Sequence, residues 1–249
     1  MKSLTASSIE RLISIEAHVH YGESPPPDVH PFIEITRNSS VLISAPHGSR
    51  AFRNRQGDIW HEEDEYTAGM ALLLSERCGT SVIANIWRSD LCDPNWHEVN
   101  QCLYKQKMSQ MVQQQGIRWV LDLHGAAENS EQLGRSRVDL GTREERHSIP
   151  IAQRDKLREL IVARFGQESV SLNGFPASFR GTVSSFCQEQ LRIQAVQIEM
   201  KPSVRVPLRR TDASSYAELG PFSAPAKNVI AMLSALEKFI AYLEKLSNS

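Results

Sequence analysis

No run of about 18 apolar residues occurs anywhere in the 249-residue chain, so no segment has the length and composition of a membrane-crossing helix. Neither charge sign dominates. Lys and Arg number 28 against 29 Asp and Glu, a formal net charge of -1, which gives no overall field to favour nucleic acid or an anionic membrane surface. A small, compact substrate is the default expectation. Cysteine is scarce: Cys78, Cys92, Cys102 and Cys187 are the four present, none spaced as C-x-x-C. That argues against a disulfide framework and a thiolate zinc site, and it predicts buried thiols in a reducing compartment. Internal repeats and low-complexity tracts are also missing. The first residues place Glu10, Arg11 and Glu16 where a signal peptide needs an apolar core, so the expected location is the cytoplasm.

What is present alternates between two periods. Phe32 to Ile35 and Val41 to Ser44 are short β-prone runs separated by Asn38-Ser39-Ser40, which has the composition of a hairpin turn. A helix is predicted from Asp64 to Arg77, with Gly79 at its carboxyl cap, then a buried strand from Val82 to Trp87. A polar amphipathic helix follows from about His97 to Gln115, ended by Gly116. Ile117 to Leu123 reads as a strand, Asp139 to Ser148 as charged loop, Ile151 to Phe165 as a helix and Ala195 to Ile198 as a strand. A last helix runs from about Ala224 to Lys245. Residues 1–30, ending in Gly22-Glu23-Ser24-Pro25-Pro26-Pro27, read as an N-terminal extension before a single domain spanning the chain. Strands alternating with helices of this length imply a three-layer α/β/α sandwich around a central mixed, largely parallel sheet, whose active groups gather beyond the carboxyl ends of the strands.

Three predicted strands end in a residue with chemistry: Ser44-Ala45-Pro46-His47-Gly48, Asp122-Leu123-His124-Gly125 and Gln197-Ile198-Glu199-Met200. A histidine followed by glycine at a strand end can aim an imidazole into a cleft while the glycine admits close neighbours. One such pair also suits an ordinary loop histidine; two in one sheet can share an ion. With no thiolates available, a third ligand would be a carboxylate, and the segment His61-Glu62-Glu63-Asp64-Glu65 offers several, Asp64 and Glu65 ahead of the rest. Carboxylates also favour a helix N-terminus for its dipole alone. Glu199 follows an apolar run, where a buried carboxylate serves either a reaction, as general base to a metal-activated water, or a salt bridge to Lys201 or Arg205. Asp122, two residues before His124 on the same strand face, suits an orienting role. Arg88 and Asn95, on the loop that also carries Asp93, suit a substrate carboxylate or carbonyl.

At these residues the chain resembles the N-formylglutamate amidohydrolase family, which is related in fold to the zinc carboxypeptidases. The similar segments are SAPHG at 44–48, EEDEYT at 62–67, RSDLCDPN at 88–95, DLHG at 122–125 and QIEM at 197–200, in the family's order. The resemblance implies a zinc-carboxypeptidase-like fold and one divalent metal ion per chain, Zn2+ foremost. His47 and His124 would be ligands, an acid at Asp64 or Glu65 would complete the set, and Glu199 would be the catalytic glutamate. The implied reaction is hydrolysis of a small N-formyl or N-acyl amino acid, with Arg88 assisting and Asp93 and Asn95 contacting substrate. A carboxypeptidase-like peptidase and an inactive relative that binds a ligand are the alternatives. The family loop usually continues to arginine after Asn95, whereas here Trp96 follows, and the arginine and histidine that tend to follow Arg180-Gly181 are replaced by Thr182 to Phe186. Arg88, Arg180 or Arg205 would then supply the missing positive charge. The residue three beyond His47 is Arg50, not the glutamate of the carboxypeptidases.

Overall fold

Alternate side chains along the central strands serve two different layers. In a strand, successive residues face opposite sides, and here Leu121, Leu123, Val196, Ile198 and Met200 enter one apolar core while Val120 and Ala195 enter another. The structure, a computed structural model, describes residues 3–54, 59–143, 148–175, 177 and 181–247. In chain order the elements are α1 (Ala6–Glu16), β1 (Phe32–Ile35), β2 (Val41–Ala45), β3 (Ala51–Asn54), β4 (Ile59–His61), α2 (Thr67–Cys78) and β5 (Ser81–Asn85). Then come α3 (Leu103–Gln115), β6 (Trp119–Gly125), β7 (Val138–Gly141), α4 (Ile151–Phe165), β8 (Val170–Leu172) and α5 (Val183–Phe186). The last are β9 (Gln194–Met200), α6 (Pro202–Arg205), α7 (Tyr216–Leu219) and α8 (Ala226–Ser247).

Among the described residues, seven strands form one sheet in the order β1-β5-β2-β6-β9-β7-β8. The four central strands β5, β2, β6 and β9 run parallel, β1 and β7 are antiparallel to their inner neighbours, and β8 runs parallel to β7. Helices α1, α2, α4 and α8 pack on one face, α3 and α5 on the other. This is the three-layer α/β/α sandwich that the alternation implies. The chain leaves β2 through α2 to reach β5, then returns through α3 on the opposite face to reach β6 on the other side of β2. The winding therefore reverses between β2 and β6, and in open α/β sheets such a switch point opens a crevice beyond the strand ends. His47 and His124 stand there.

Several expectations change. β1 and β2 do not form a hairpin, because β5 lies between them, and Ser39 and Ser40 instead bond the Glu244 carboxylate of α8. Asp139 to Gly141 belong to β7 rather than to a loop; four residues between two neighbours are too few to show a period. The pair β3–β4 forms a separate two-stranded hairpin. In the N-terminal extension, Leu12 of α1 is fully buried in the core. Cys92 and Cys102 are joined as a disulfide, not kept as thiols: the loop before α3 returns on itself and brings their Cα atoms to 5.4 Å. Cys187 is a buried free thiol, and no described helix is long and apolar enough to cross a membrane.

Leu121, in the middle of β6, is fully buried, whereas Leu91 is 72% exposed. Leu121→Ala is expected to cost about 2–5 kcal/mol through lost contact and a residual cavity. Leu91→Ala should stay within about 0.5 kcal/mol of wild type. Urea unfolding of the two variants checks the contrast, and equal losses would contradict the placement of β6.

Candidate metal centre

The polar face of the sheet is confined to its carboxyl end. On β6 the residues after Val120 on that face are Asp122 and His124, and on β9 those after Ala195 are Gln197 and Glu199. Parallel register pairs Asp122 with Gln197 and His124 with Glu199. Neighbouring strands lie about 5 Å apart, so Glu199 stands beside His124. His47 follows the end of β2, and the turn entering α2 brings Asp64 to it. Asp64 N–H donates to the His47 carbonyl at 2.7 Å.

One ligand atom each from His47, Asp64 and His124 lies within 4.8 Å of the others. The Asp64 Oδ2 atom is 3.2 Å from His124 Nδ1 and 3.6 Å from His47 Nδ1. Each imidazole is held from behind by a fully buried aspartate. His47 Nε2 lies 2.8 Å from Asp93 Oδ1, and His124 Nε2 lies 3.1 Å from Asp122 Oδ2. Asn95 places its amide nitrogen 3.1 Å from the same His124 Nε2 while its carbonyl accepts Val183 N–H at 2.8 Å. A carboxylate behind each ring fixes its tautomer and turns the other nitrogen toward an ion. His47 Nδ1 is buried with no hydrogen-bond partner. An orphaned buried nitrogen is costly, and two imidazoles with one carboxylate form a donor set suited to zinc or a similar divalent metal. The residues fit the ion.

Both glycines after the histidines are closely packed. A Cβ on Gly48 would lie 2.4 Å from Ala68 Cβ and 2.5 Å from the Asn85 carbonyl oxygen. On Gly125 it would lie 2.6 Å from the Arg205 guanidinium. The close neighbours are protein, not substrate.

Titration reflects the crowding. Burial disfavours charge on His47, but Asp93 and Asp64 outweigh it and push the ring up to about 9. Burial is likewise outweighed at His124, where Asp122 and Asp64 hold the ring well above its ordinary value. For Asp64 and Asp93, burial raises the carboxyl, yet the facing histidines hold both well below the usual range. Glu199 goes the other way. Burial, reinforced by Asp64, pushes it up to about 7 against His124, Gln197 and His47. The Gln197 amide donates to it at 2.8 Å.

The remaining sequence candidates fall elsewhere. Glu65 pairs with Arg209 and accepts from Ser215, outside the triad. Asp93 is fully buried behind His47, with its second oxygen held by Arg53. Arg88 bonds Asp90, the Gly22 carbonyl and Ser24, and its guanidinium covers Trp60. Arg205 donates to the Met200 and Glu65 carbonyls, and Lys201 to the Gly134 carbonyl; neither is the salt-bridge partner foreseen for Glu199. Arg180 lies outside the described residues. Two residues that sequence reasoning missed sit on the β3–β4 hairpin. His61 stacks on His47 with ring centroids 3.7 Å apart and is pushed down to about 4 by burial and the His47 charge. Arg53 bonds Asp93 and lies 5.2 Å from the Trp96 ring centroid, its side chain 30% exposed. No periodicity marks Arg53; His61 was visible only as the start of the acidic segment.

No family model matches the chain, and no curated protein matches it. Solved structures do. The N-formylglutamate amidohydrolase from Ralstonia eutropha JMP134 aligns with 88% of this chain and 98% of its own, at a TM-score of 0.59 and 13% identity. A gene product from Agrobacterium tumefaciens aligns with 91% of this chain and 99% of its own, at 0.52 and 10% identity. The chain thus shares the fold of N-formylglutamate amidohydrolase, the family its motifs resemble.

Metal binding must displace protons from the two histidines. Because His47 titrates at about 9 in the metal-free protein, zinc affinity should climb with pH from 6 to 9, by at least about tenfold per unit. Competition against a chelator at each pH checks this, and a flat profile would contradict it. In the same assay Asp64→Asn should abolish uptake and Glu65→Gln should retain it.

Proposed function

We propose that the chain is a metal-dependent hydrolase that cleaves the amide bond of an N-formyl or N-acyl amino acid, with one divalent ion, zinc foremost, held by His47, Asp64 and His124. The observation that carries this reading is the buried, unpartnered His47 Nδ1 facing Asp64 and His124, beside a carboxylate that burial has made more basic. The shared fold with N-formylglutamate amidohydrolase supports it. A divalent ion at such a site supplies Lewis-acid polarisation of the scissile carbonyl and lowers the pKa of water.

The chain's own residues do the rest. Glu199, with a proton affinity near neutrality, accepts a proton from the attacking water and returns it to the departing amide nitrogen. Asp93 and Asp122 keep each Nε2 proton in place, which would leave both Nδ1 lone pairs to a divalent ion. The Asn95 carbonyl accepts Val183 N–H, which ties the loop after β5 to α5 beside His124. Arg53, bonded to Asp93 and partly open, has a guanidinium that suits the carboxylate of an N-acyl amino acid. It replaces the charge that Trp96 does not bring.

Glu199→Gln keeps the side-chain shape and loses proton transfer. Turnover of N-formyl and N-acyl amino acids is expected to fall by about two to four orders of magnitude, the ordinary contribution of a positioned acid and base. Zinc content and thermal stability should stay close to wild type. The measurement is steady-state kinetics on a panel of such substrates and short peptides, alongside elemental analysis of the same preparations. A zinc-loaded, stable variant with undiminished turnover would remove Glu199 from the reaction. Wild-type protein that turns over peptides and none of the N-acyl amino acids would overturn the substrate class.

A further inference from the structure

We propose that Glu16, the last residue of α1, is a positioning residue for Asp64, which makes the N-terminal helix part of the metal centre. This rests on the metal-ligand reading of Asp64 given above. The first backbone N–H groups of a helix have no partner within it and need one from outside. At the start of α2 the residue in the capping position is Tyr66, whose side chain does not cap; its hydroxyl goes to the Leu208 carbonyl at 2.7 Å instead. Tyr66 is also held at φ 67°, a left-handed conformation that a bulky residue adopts only when its surroundings impose it.

The Glu16 carboxylate supplies the missing acceptors at this turn. Its Oε1 atom accepts Tyr66 N–H at 2.8 Å, and its Oε2 atom accepts Gly69 N–H at 2.8 Å. The Tyr21 hydroxyl donates to Oε1 at 2.6 Å. Three donors aimed at two oxygens call for a carboxylate, and the group is fully buried, where an unused carboxylate would be costly. The cradle fits closely. A Cβ on Gly69 would come to 2.5 Å of Glu16 Oε2, so any other residue there displaces the carboxylate. Glu16 is itself fixed from behind, because Arg210 donates to the Glu16 and Val19 carbonyls and lies 4.3 Å over the Tyr21 ring.

Asp64 lies two residues before Tyr66 and belongs to the same turn. Its N–H is held by the His47 carbonyl, and its carbonyl accepts Thr67 N–H at 3.0 Å and the Thr67 hydroxyl at 2.8 Å. The direction of its carboxylate toward His47 and His124 therefore follows from the turn between Asp64 and Thr67, and the middle of that turn is pinned by Glu16. An ordinary cap would have come from a Ser, Thr, Asp or Asn in the capping position. A cap from a residue fifty positions earlier ties α1 to the ligand instead.

The test is zinc affinity of the full-length, metal-free chain, measured by competition with a chromophoric chelator, together with thermal unfolding of the same metal-free samples. Glu16→Gln replaces one accepting oxygen by a donor, and Gly69→Ala moves the carboxylate without removing it. Both should fold and should bind zinc at least about tenfold more weakly than wild type. Leu12→Ala, which removes a buried contact from the same helix and leaves the carboxylate in place, should lower the melting temperature while zinc affinity stays within about twofold. Wild-type affinity in both Glu16→Gln and Gly69→Ala would overturn the assignment, as would an equal loss of affinity in Leu12→Ala. If Glu16→Gln does not fold, Gly69→Ala decides alone. Wild-type protein that takes up no zinc would remove the metal-centre reading itself, a different outcome from a wild type that binds and variants that bind equally well.

Discussion

Charge buried at one end of a sheet has to be matched group by group, and the arrangement at this switch point follows from that requirement. Isolated ions in a protein interior are too costly to survive without partners. Two imidazoles and four carboxylates meet here, all nine-tenths buried or more: His47, His124, Asp64, Asp93, Asp122 and Glu199. Asp93 and Asp122 each take an Nε2, which leaves both Nδ1 atoms looking at the single carboxylate of Asp64. Asp64 cannot serve both equally, and His47 Nδ1 goes without a hydrogen bond. A divalent ion among the three would balance the set. Glu199, left with an amide from Gln197 as its close donor, is the carboxylate free to exchange a proton.

The fold delivers each of these groups by a separate route. β6 and β9 bring Asp122, His124 and Glu199 on one face through their parallel register. The loop after β5 brings Asp93 and Asn95, and the turn before α2 brings Asp64. Because α2 and α3 pack on opposite faces, these two segments approach the switch point from either side of the sheet. The turn after His47 comes close to α2 and to the Asn85 carbonyl, which leaves no room for a side chain at position 48. The N-terminal helix closes the arrangement by holding the start of α2.

Long elements with strong periodicity were legible in the sequence. Ile151 to Phe165 begins and ends as α4 does, and the strands carrying His124 and Glu199 were visible as apolar runs ending in polar residues. The same logic brought His47, His124 and Glu199 together, since strand ends converge in this architecture, and it left Asp64 and Glu65 of the acidic segment as alternatives for a third ligand. What stayed hidden lacks a local signal. β7, β8 and the β3–β4 hairpin are three or four residues each, too short to establish a period. The orienting role of Asp93, the cap from Glu16 and the guanidinium of Arg53 are long-range contacts that no spacing encodes. The Cys92–Cys102 pair was missed for a related reason, because composition speaks to cysteine number and not to where a loop returns.

The most direct test of the metal centre is an anomalous diffraction map recorded across the zinc absorption edge from crystals grown with zinc. One dominant peak per chain is expected, enclosed by the Nδ1 atoms of His47 and His124 and a carboxylate oxygen of Asp64, with Asp93 and Asp122 still bonded to the opposite ring nitrogens. A map without a peak there, or with the ion seated on Glu63 or Glu65 instead, would contradict it.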